Sequence, residues 1–240
     1  MIATHNVSKR FGRRVVLHDL DANVSAARVT ALVGPNGAGK TTFLKLLLGL
    51  VRPDCGTVSI AARILDGSPE YRGSIGYMPQ MARFPAHLSG GELLATLASL
   101  RPVRTTPDLS LAEAFELGEA FHRPLGVLSG GMRQRINAVL ALAFRPELII
   151  LDEPTAGLDP LASRILKDRL VAERDAGHTV LVTSHALPEL EELADDVLFL
   201  ADGTVKWQGA ARDLKARTGQ RTLERAVAQL LLGRSLLAVA

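Results

Sequence analysis

The stretch Gly34-Pro35-Asn36-Gly37-Ala38-Gly39-Lys40-Thr41 constrains this chain more than any other, because a fixed glycine spacing coincides with a definite structural context. It follows the apolar run Val29 to Val33, which reads as a buried strand, and precedes a helical pattern reaching about Leu50. A glycine-rich turn between strand and helix lets backbone N–H groups turn inward on an anion, and the helix N-terminus adds the positive end of its dipole. In this pattern Lys40 reaches the β and γ phosphates of a nucleotide and Thr41 ligates Mg2+. An ordinary strand-to-helix turn has no need of a lysine and a threonine at these positions.

With 240 residues the chain can bury a full core, as one domain or two closely packed ones. A composition 47% hydrophobic and 22% charged is globular, and an aromatic content of 4% disfavours a base-stacking platform. The 28 cationic residues face 25 acidic ones without a long block of one sign, so no nucleic-acid partner is expected. The single cysteine, Cys55, excludes an internal disulfide framework, fits a reducing compartment, and is expected to be a small buried or half-buried residue. The opening MIATHNVSKRFGRR lacks the apolar core of a signal peptide, and no apolar run approaches the roughly 20 residues of a bilayer span. The expectation is a cytoplasmic protein whose membrane role, if any, comes through a partner.

Short Val-, Ile- and Leu-rich runs alternate with helical patterns, the mark of an α/β fold with parallel strands. Thr57 to Ile60, Ser74 to Met78, Leu148 to Asp152, Thr179 to Thr183 and Val197 to Leu200 continue the strand series. Asp202-Gly203 predicts a tight hairpin turn. Between about Arg83 and Arg145 the patterns become helical, at Glu92 to Leu100, Ser110 to Phe121 and Gly131 to Phe144. Ser110 and Glu113 match a capping box for the second of these, with Pro102 and Pro107 breaking the chain before it.

Leu148-Ile-Ile-Leu-Asp152-Glu153 is an apolar strand ending in two carboxylates. Alone it fits a solvated strand end; with the loop upstream, Asp152 is placed to hold Mg2+ and Glu153 to orient and deprotonate an attacking water. Ser129, with Gly130 and Gly131 after it, exposes N–H groups at a helix start, which fits either a helix cap or a phosphate contact. Gln80 and His185 each follow a strand and in isolation read as structural.

Taken in order, Gly34 to Thr42, Gln80, Leu128-Ser-Gly-Gly131, Leu148 to Glu153, Ala156-Gly-Leu-Asp159 and His185 resemble the six motifs of an ABC-transporter nucleotide-binding domain, over about residues 1–217. The resemblance implies a RecA-like P-loop NTPase core with an antiparallel β subdomain (residues 1–82 and 146–217), an inserted helical subdomain (83–145) and a short C-terminal helix (218–240). It implies an ATPase with ATP and Mg2+ as ligands. Phe11 would stack on adenine, Thr42 would touch the α-phosphate, and Gln80 would sense the metal and water. Asp159 would bridge two monomers and His185 would contact the γ-phosphate. Ser129, Gly130 and Gly131 would close over the ATP held by the other monomer, in a head-to-tail dimer.

The implied partners are a second ATPase subunit and an integral-membrane permease, which places the chain on the inner face of the cell membrane. The segment Ile75 to Pro85 resembles the ATPase of the transporter that matures the copper centres of nitrous-oxide reductase, and the general ABC-2 export type fits nearly as well. A soluble ABC-type ATPase of DNA repair or translation is the alternative, although no long coiled-coil or zinc insertion and no second cassette is present. A nucleotide-gated module without hydrolysis is disfavoured by Lys40, Glu153 and His185. Met81 and Phe84 beside Gln80 suggest a groove for a permease helix, or alternatively inter-subdomain packing. The stretch from Thr222 reads as one amphipathic helix packed on its own core. Leu-Ser-Gly-Gly also occurs at Leu88 to Gly91, where Ser89 is expected only to cap the helix from Glu92.

Overall fold

The computed structural model describes residues 1–101, 105–184 and 186–237. Along the chain run β1 (Ile2–Phe11), β2 (Arg14–Val24), β3 (Val29–Val33), α1 (Lys40–Leu47), β4 (Cys55–Ile60), β5 (Arg63–Ile64) and β6 (Ile75–Met78). These are followed by α2 (Gly90–Ser99), α3 (Ser110–Ala114), α4 (Gly130–Leu142), β7 (Leu148–Asp152), α5 (Pro160–Asp175) and β8 (Thr179–Thr183). The C-terminal part holds α6 (Leu187–Glu191), β9 (Asp196–Ala201), β10 (Thr204–Ala210), α7 (Ala211–Thr218) and α8 (Leu223–Leu237). Two compact units share the chain: Met1–Pro69 with Leu181–Ala240, and Glu70–Val180.

In the first unit, β1 pairs antiparallel with β2 and β4, and β5 extends the sheet beyond β4. Val7, Leu17, Leu20 and Val24 are buried among exposed neighbours, as expected of a sheet covered on one face, although register shifts between β1 and β2 interrupt a strict alternation. All five residues of β3 are buried, and β3 lies parallel to β9, the pattern of a strand covered on both faces. β9 turns back into β10 through Asp202 and Gly203, both at positive φ, so the Asp-Gly pair makes the tight turn its sequence predicts. That turn supports the glycine-rich loop: the Gly203 amide donates to the Ala38 carbonyl at 3.1 Å, and the His18 amide donates to the Gly203 carbonyl at 2.9 Å. α8 buries Leu223, Ala226 and Val227, and Glu191 anchors it by accepting from the Leu223 amide and from Lys215. Packing on its own core is thus the observed state of the C-terminal helix.

In the second unit, β6 and β7 run parallel from Ile75 opposite Leu148 to Met78 opposite Leu151. The half of α4 from Ile136 to Leu142 is buried throughout, so this helix forms the centre of its unit. The long helix expected from Ser110 to Phe121 is not formed. α3 stops at Ala114, Glu116 takes φ 52, and the chain resumes as a single 3-10 turn over Gly118–His122, so that Phe115, Leu117 and Phe121 can all be buried. Nor does Ser110 cap α3. Its amide and hydroxyl both donate to Asp108, and Arg169 donates to the hydroxyl oxygen, so the side chain is committed to an ion-pair network. Cys55 is exposed at the start of β4 rather than buried or half-buried, at the end of the strand that β5 does not reach, since β5 pairs only with Ser59 and Ile60. Pro102 lies outside the described residues.

Candidate functional site

The glycine-rich loop has the geometry its sequence implies. β3 delivers the chain to Gly34, and α1 begins at Lys40 after Gly39, which sits at φ 107. A side chain at Gly39 would be strained by that φ and would stand 2.6 Å from Leu17 Cδ2, so only glycine fits the position. Asn36 and Gly37 are exposed at the rim, Ala38 is buried beneath it, and Pro35 is half-buried. Lys40 Nζ donates to the carbonyls of Gly34 at 2.6 Å and Pro35 at 3.2 Å, which folds the ammonium over the loop. Thr41 is exposed and Thr42 half-buried on the first turn of α1, which carries no acidic residue to compete for an anion. At the end of β1, Phe11 is 46% exposed, with Lys9 Nζ 5.5 Å from its ring centroid.

In the second unit β7 is buried up to Leu151, and the carboxylates of Asp152 and Glu153 emerge at its end. Glu153 has φ 52, a left-handed backbone that favours glycine, asparagine or aspartate and costs a glutamate of order 1 kcal/mol or more. Its Oε2 accepts from Gln80 Nε2 at 2.8 Å, so residues 73 positions apart meet side chain to side chain. This bond consumes a donor of the Gln80 amide and leaves its Oε1 as the acceptor. The loop carrying Gln80 is held by Asn137 of α4, which donates to the Pro79 carbonyl at 3.0 Å, and Gln134 donates to the Pro154 carbonyl at 3.4 Å.

The two Leu-Ser-Gly-Gly copies differ sharply in accessibility. Ser89 is 6% exposed and caps α2 in a full capping box with Glu92, whose carboxyl the Ser89 amide and hydroxyl hold below its ordinary range. A Cβ at Gly90 would stand 2.9 Å from the Phe121 ring, so that backbone is packed shut. Ser129 also caps its helix, accepting from the Met132 amide at 3.2 Å, but both Ser129 and Gly130 are exposed and nothing lies within 4 Å of a Cβ at Gly130. Only the second copy presents an open helix start.

Asp159 caps α5 and accepts from Arg135 of α4, which also donates to the Phe115 carbonyl at 3.2 Å. The Ala162 amide, and then Arg135, hold the Asp159 carboxyl below its ordinary range. Gln80, Met81, Phe84, Leu125, Arg133 and Gln134 line a cavity of about 290 Å3, so the expected groove beside Gln80 exists and Met81 is 75% exposed at it. His185 lies outside the described residues. Arg135 and Asn137 escape sequence reasoning, though a polar residue within the apolar run Ile136 to Leu142 is itself a sign of a required partner.

The family model for the ABC transporter matches residues 17–156, which include the loop, Gln80, the exposed Ser129 helix start and β7 with its carboxylates. This chain belongs to the ABC transporter family. As an ABC-transporter ATPase it is 36% identical over 217 residues to Nod factor export ATP-binding protein I of Burkholderia lata, covering 87% of this chain and 70% of that one. It is 33% identical over 205 residues to the lantibiotic transport ATP-binding protein SrtF of Streptococcus pyogenes, covering 85% and 89%. A third relative is the daunorubicin/doxorubicin resistance ATP-binding protein DrrA of Streptomyces peucetius, with 35% identity and coverage of 92% and 69%. Among solved structures, an ATP-binding subunit of an ABC transporter superposes with a TM-score of 0.87 at 31% identity, covering 96% and 99%. A dimeric ATP-binding cassette bound to ADP and Pi in a post-hydrolysis state gives 0.75 at 25% identity, covering 88% and 98%. Among the described residues of this ABC ATPase, no helix is long and apolar enough to cross a membrane.

Proposed function

We propose that this chain is the motor subunit of a membrane exporter: two copies close head to tail around two MgATP and drive a separate integral-membrane permease from the cytoplasmic face. The observation that carries this reading is the open helix start at Ser129, an anion-binding surface on the same chain as a complete phosphate loop. One loop and one such surface per chain are the two halves of a site that a second copy completes. The relatives' names, which refer to export, transport and resistance, support an exporter more than copper-centre maturation.

In this reading the backbone amides of Gly34 to Gly39 and the Lys40 ammonium cradle the β and γ phosphates, Thr42 touches the α-phosphate, and Phe11 carries the adenine. The oxygens of Thr41, Gln80 and Asp152 are hard donors of the kind Mg2+ takes, and the Gln80 bond to Glu153 turns its carbonyl oxygen into the available acceptor. The metal would neutralise charge on the phosphates. Glu153 accepts the proton of the attacking water, and Gln80 positions its carboxylate. His185 contacts the γ-phosphate, and Asp159 with Ser129, Gly130 and Gly131 faces the other copy's nucleotide. The helical subdomain (83–145), with the Met81 and Phe84 groove, receives a permease helix.

The test is Glu153→Gln, which keeps the side chain's shape and removes its proton acceptor. Turnover should fall about 10²- to 10⁴-fold while MgATP accumulates a stable dimer by size-exclusion chromatography. A variant that hydrolyses ATP like the parent chain removes Glu153 from the base role, and a monomer at every ATP concentration removes the two-copy site.

A further inference from the structure

The hairpin joining β1 to β2 carries a cation that none of the motifs includes. Gly12 and Arg13 form the turn, and Arg14 opens β2 directly opposite Phe11 in the antiparallel register. Directly opposed residues of such a pair project on the same face of the sheet, so the Arg14 guanidinium leaves the hairpin on the side of the Phe11 ring. It then reaches the glycine-rich loop: Nη2 lies 3.4 Å from where a Cβ of Gly37 would stand. Gly37 is exposed in the middle of that loop, between Gly34 and the start of α1.

The two lysines nearby are otherwise engaged. Lys9 is paired with Asp54 at 2.7 Å, and Lys40 is folded onto the Gly34 and Pro35 carbonyls. Among the described residues, the Arg14 side chain has neither a hydrogen bond nor a carboxylate partner. A planar guanidinium held against a phosphate-binding backbone without an anion of its own is the donor that a phosphate oxygen takes bidentately.

We propose that Arg14 is a nucleotide-binding residue that grips the phosphate chain of ATP between the base on Phe11 and the loop at Gly37. The inference rests on the reading of Gly34 to Thr42 as the ATP site. Its chemistry is specific: Arg14 recognises phosphate, not base or ribose, so it strengthens binding of ATP and ADP and is indifferent to adenosine. Because it holds ground state and transition state alike, it acts on KM and not on kcat.

The experiment measures dissociation constants of MgATP, MgADP and adenosine by calorimetry on the full chain and on Arg14→Ala, Arg14→Lys, Arg13→Ala and Lys40→Ala, with turnover at saturating ATP alongside. Arg14→Ala should weaken MgATP and MgADP roughly tenfold, leave adenosine unchanged, raise KM and keep kcat within about twofold. Arg14→Lys should recover part of the loss, and Arg13→Ala should bind like the parent chain. Unchanged MgATP affinity in Arg14→Ala, beside lost affinity in Lys40→Ala, overturns the assignment of Arg14 alone. Equal weakening of adenosine overturns the phosphate contact, and an equal effect of Arg13→Ala shows a diffuse field of the hairpin instead. If Lys40→Ala also binds MgATP normally, the loop itself is not the nucleotide site and both readings fall.

Discussion

The duplicated Leu-Ser-Gly-Gly allows a paired perturbation whose two halves should fail in opposite ways. Ser89 is buried, accepts from the Glu92 amide at 3.2 Å, and donates to a Glu92 carboxylate that also receives the Ser89 amide at 2.8 Å. Ser89→Ala deletes the cap and one of the two bonds to that carboxylate, which places its cost at the upper end of the cap range, about 2 kcal/mol. In a chain of this size that is a fall of roughly 4 to 8 °C in Tm. Ser129 is exposed and makes a single cap bond of 3.2 Å, so Ser129→Arg should cost only about 0.5 to 1 kcal/mol, or roughly 1 to 4 °C. Its functional effect is the reverse. In the proposed dimer an arginine fills the open helix start that would receive the partner copy's γ-phosphate, so turnover should fall at least about 100-fold while the monomer binds ATP normally. The assay is thermal denaturation and steady-state hydrolysis on both variants, normalised to folded protein. A silent Ser129→Arg together with a folded but inactive Ser89→Ala would refute the assignment of the exposed copy.

Lys40→Ala should leave the fold intact, weaken nucleotide binding and abolish hydrolysis, measured by calorimetry and phosphate release; unaltered ATP affinity would contradict the loop assignment. Asp108→Ala should cost about 2 to 3 kcal/mol at pH 7, because the carboxylate is only 12% exposed and binds Ser110, Arg169 and Arg145. The Ser110 hydroxyl, with Arg169 beside it, holds this carboxyl well below the usual carboxylate range, so its contribution is complete above about pH 4 and fades as pH falls further. The Tm difference between the parent chain and Asp108→Ala should therefore be constant from pH 7 to 5 and narrow below 4; a gap that widens on acidification would disprove the ion-pair account. Alanine at both Met81 and Phe84 should keep ATPase activity and lose association with the permease, read by co-purification.

What the sequence reveals, and what it hides, follows from the range of the interactions involved. The phosphate loop is legible because strand, glycines and helix are contiguous, and β7 is legible because a strand buried on both faces is a continuous apolar run. The β1–β2 hairpin leaves a faint trace: its pairing has register shifts, with Asn6 and Asp19 at positive φ, and these break the alternation that betrays a half-buried strand. Ser110 mimics a capping box, yet Asp108 two residues before it competes successfully for the same amide and hydroxyl. The meeting of Gln80 with Glu153, and of Arg135 with Asp159, depends on tertiary placement that no local pattern encodes. The two Leu-Ser-Gly-Gly copies are identical as text; their places in the chain separate them, since only the second begins the helix that leads into β7. In the structure Ser89 and Gly90 are buried while Ser129 and Gly130 are exposed.

The left-handed backbone of Glu153 has an evolutionary consequence. Glycine or asparagine at this position would relieve the local conformational penalty, so selection for thermal robustness alone would drift away from glutamate. If Glu153 is the base proposed above, a duplicated copy of this chain freed from hydrolysis would gain stability by replacing it. On the reading of Glu153 as the base, glutamate at this position exchanges backbone stability for turnover, and a stability-guided library that samples all positions should recover Glu153 substitutions among its most stable and least active members.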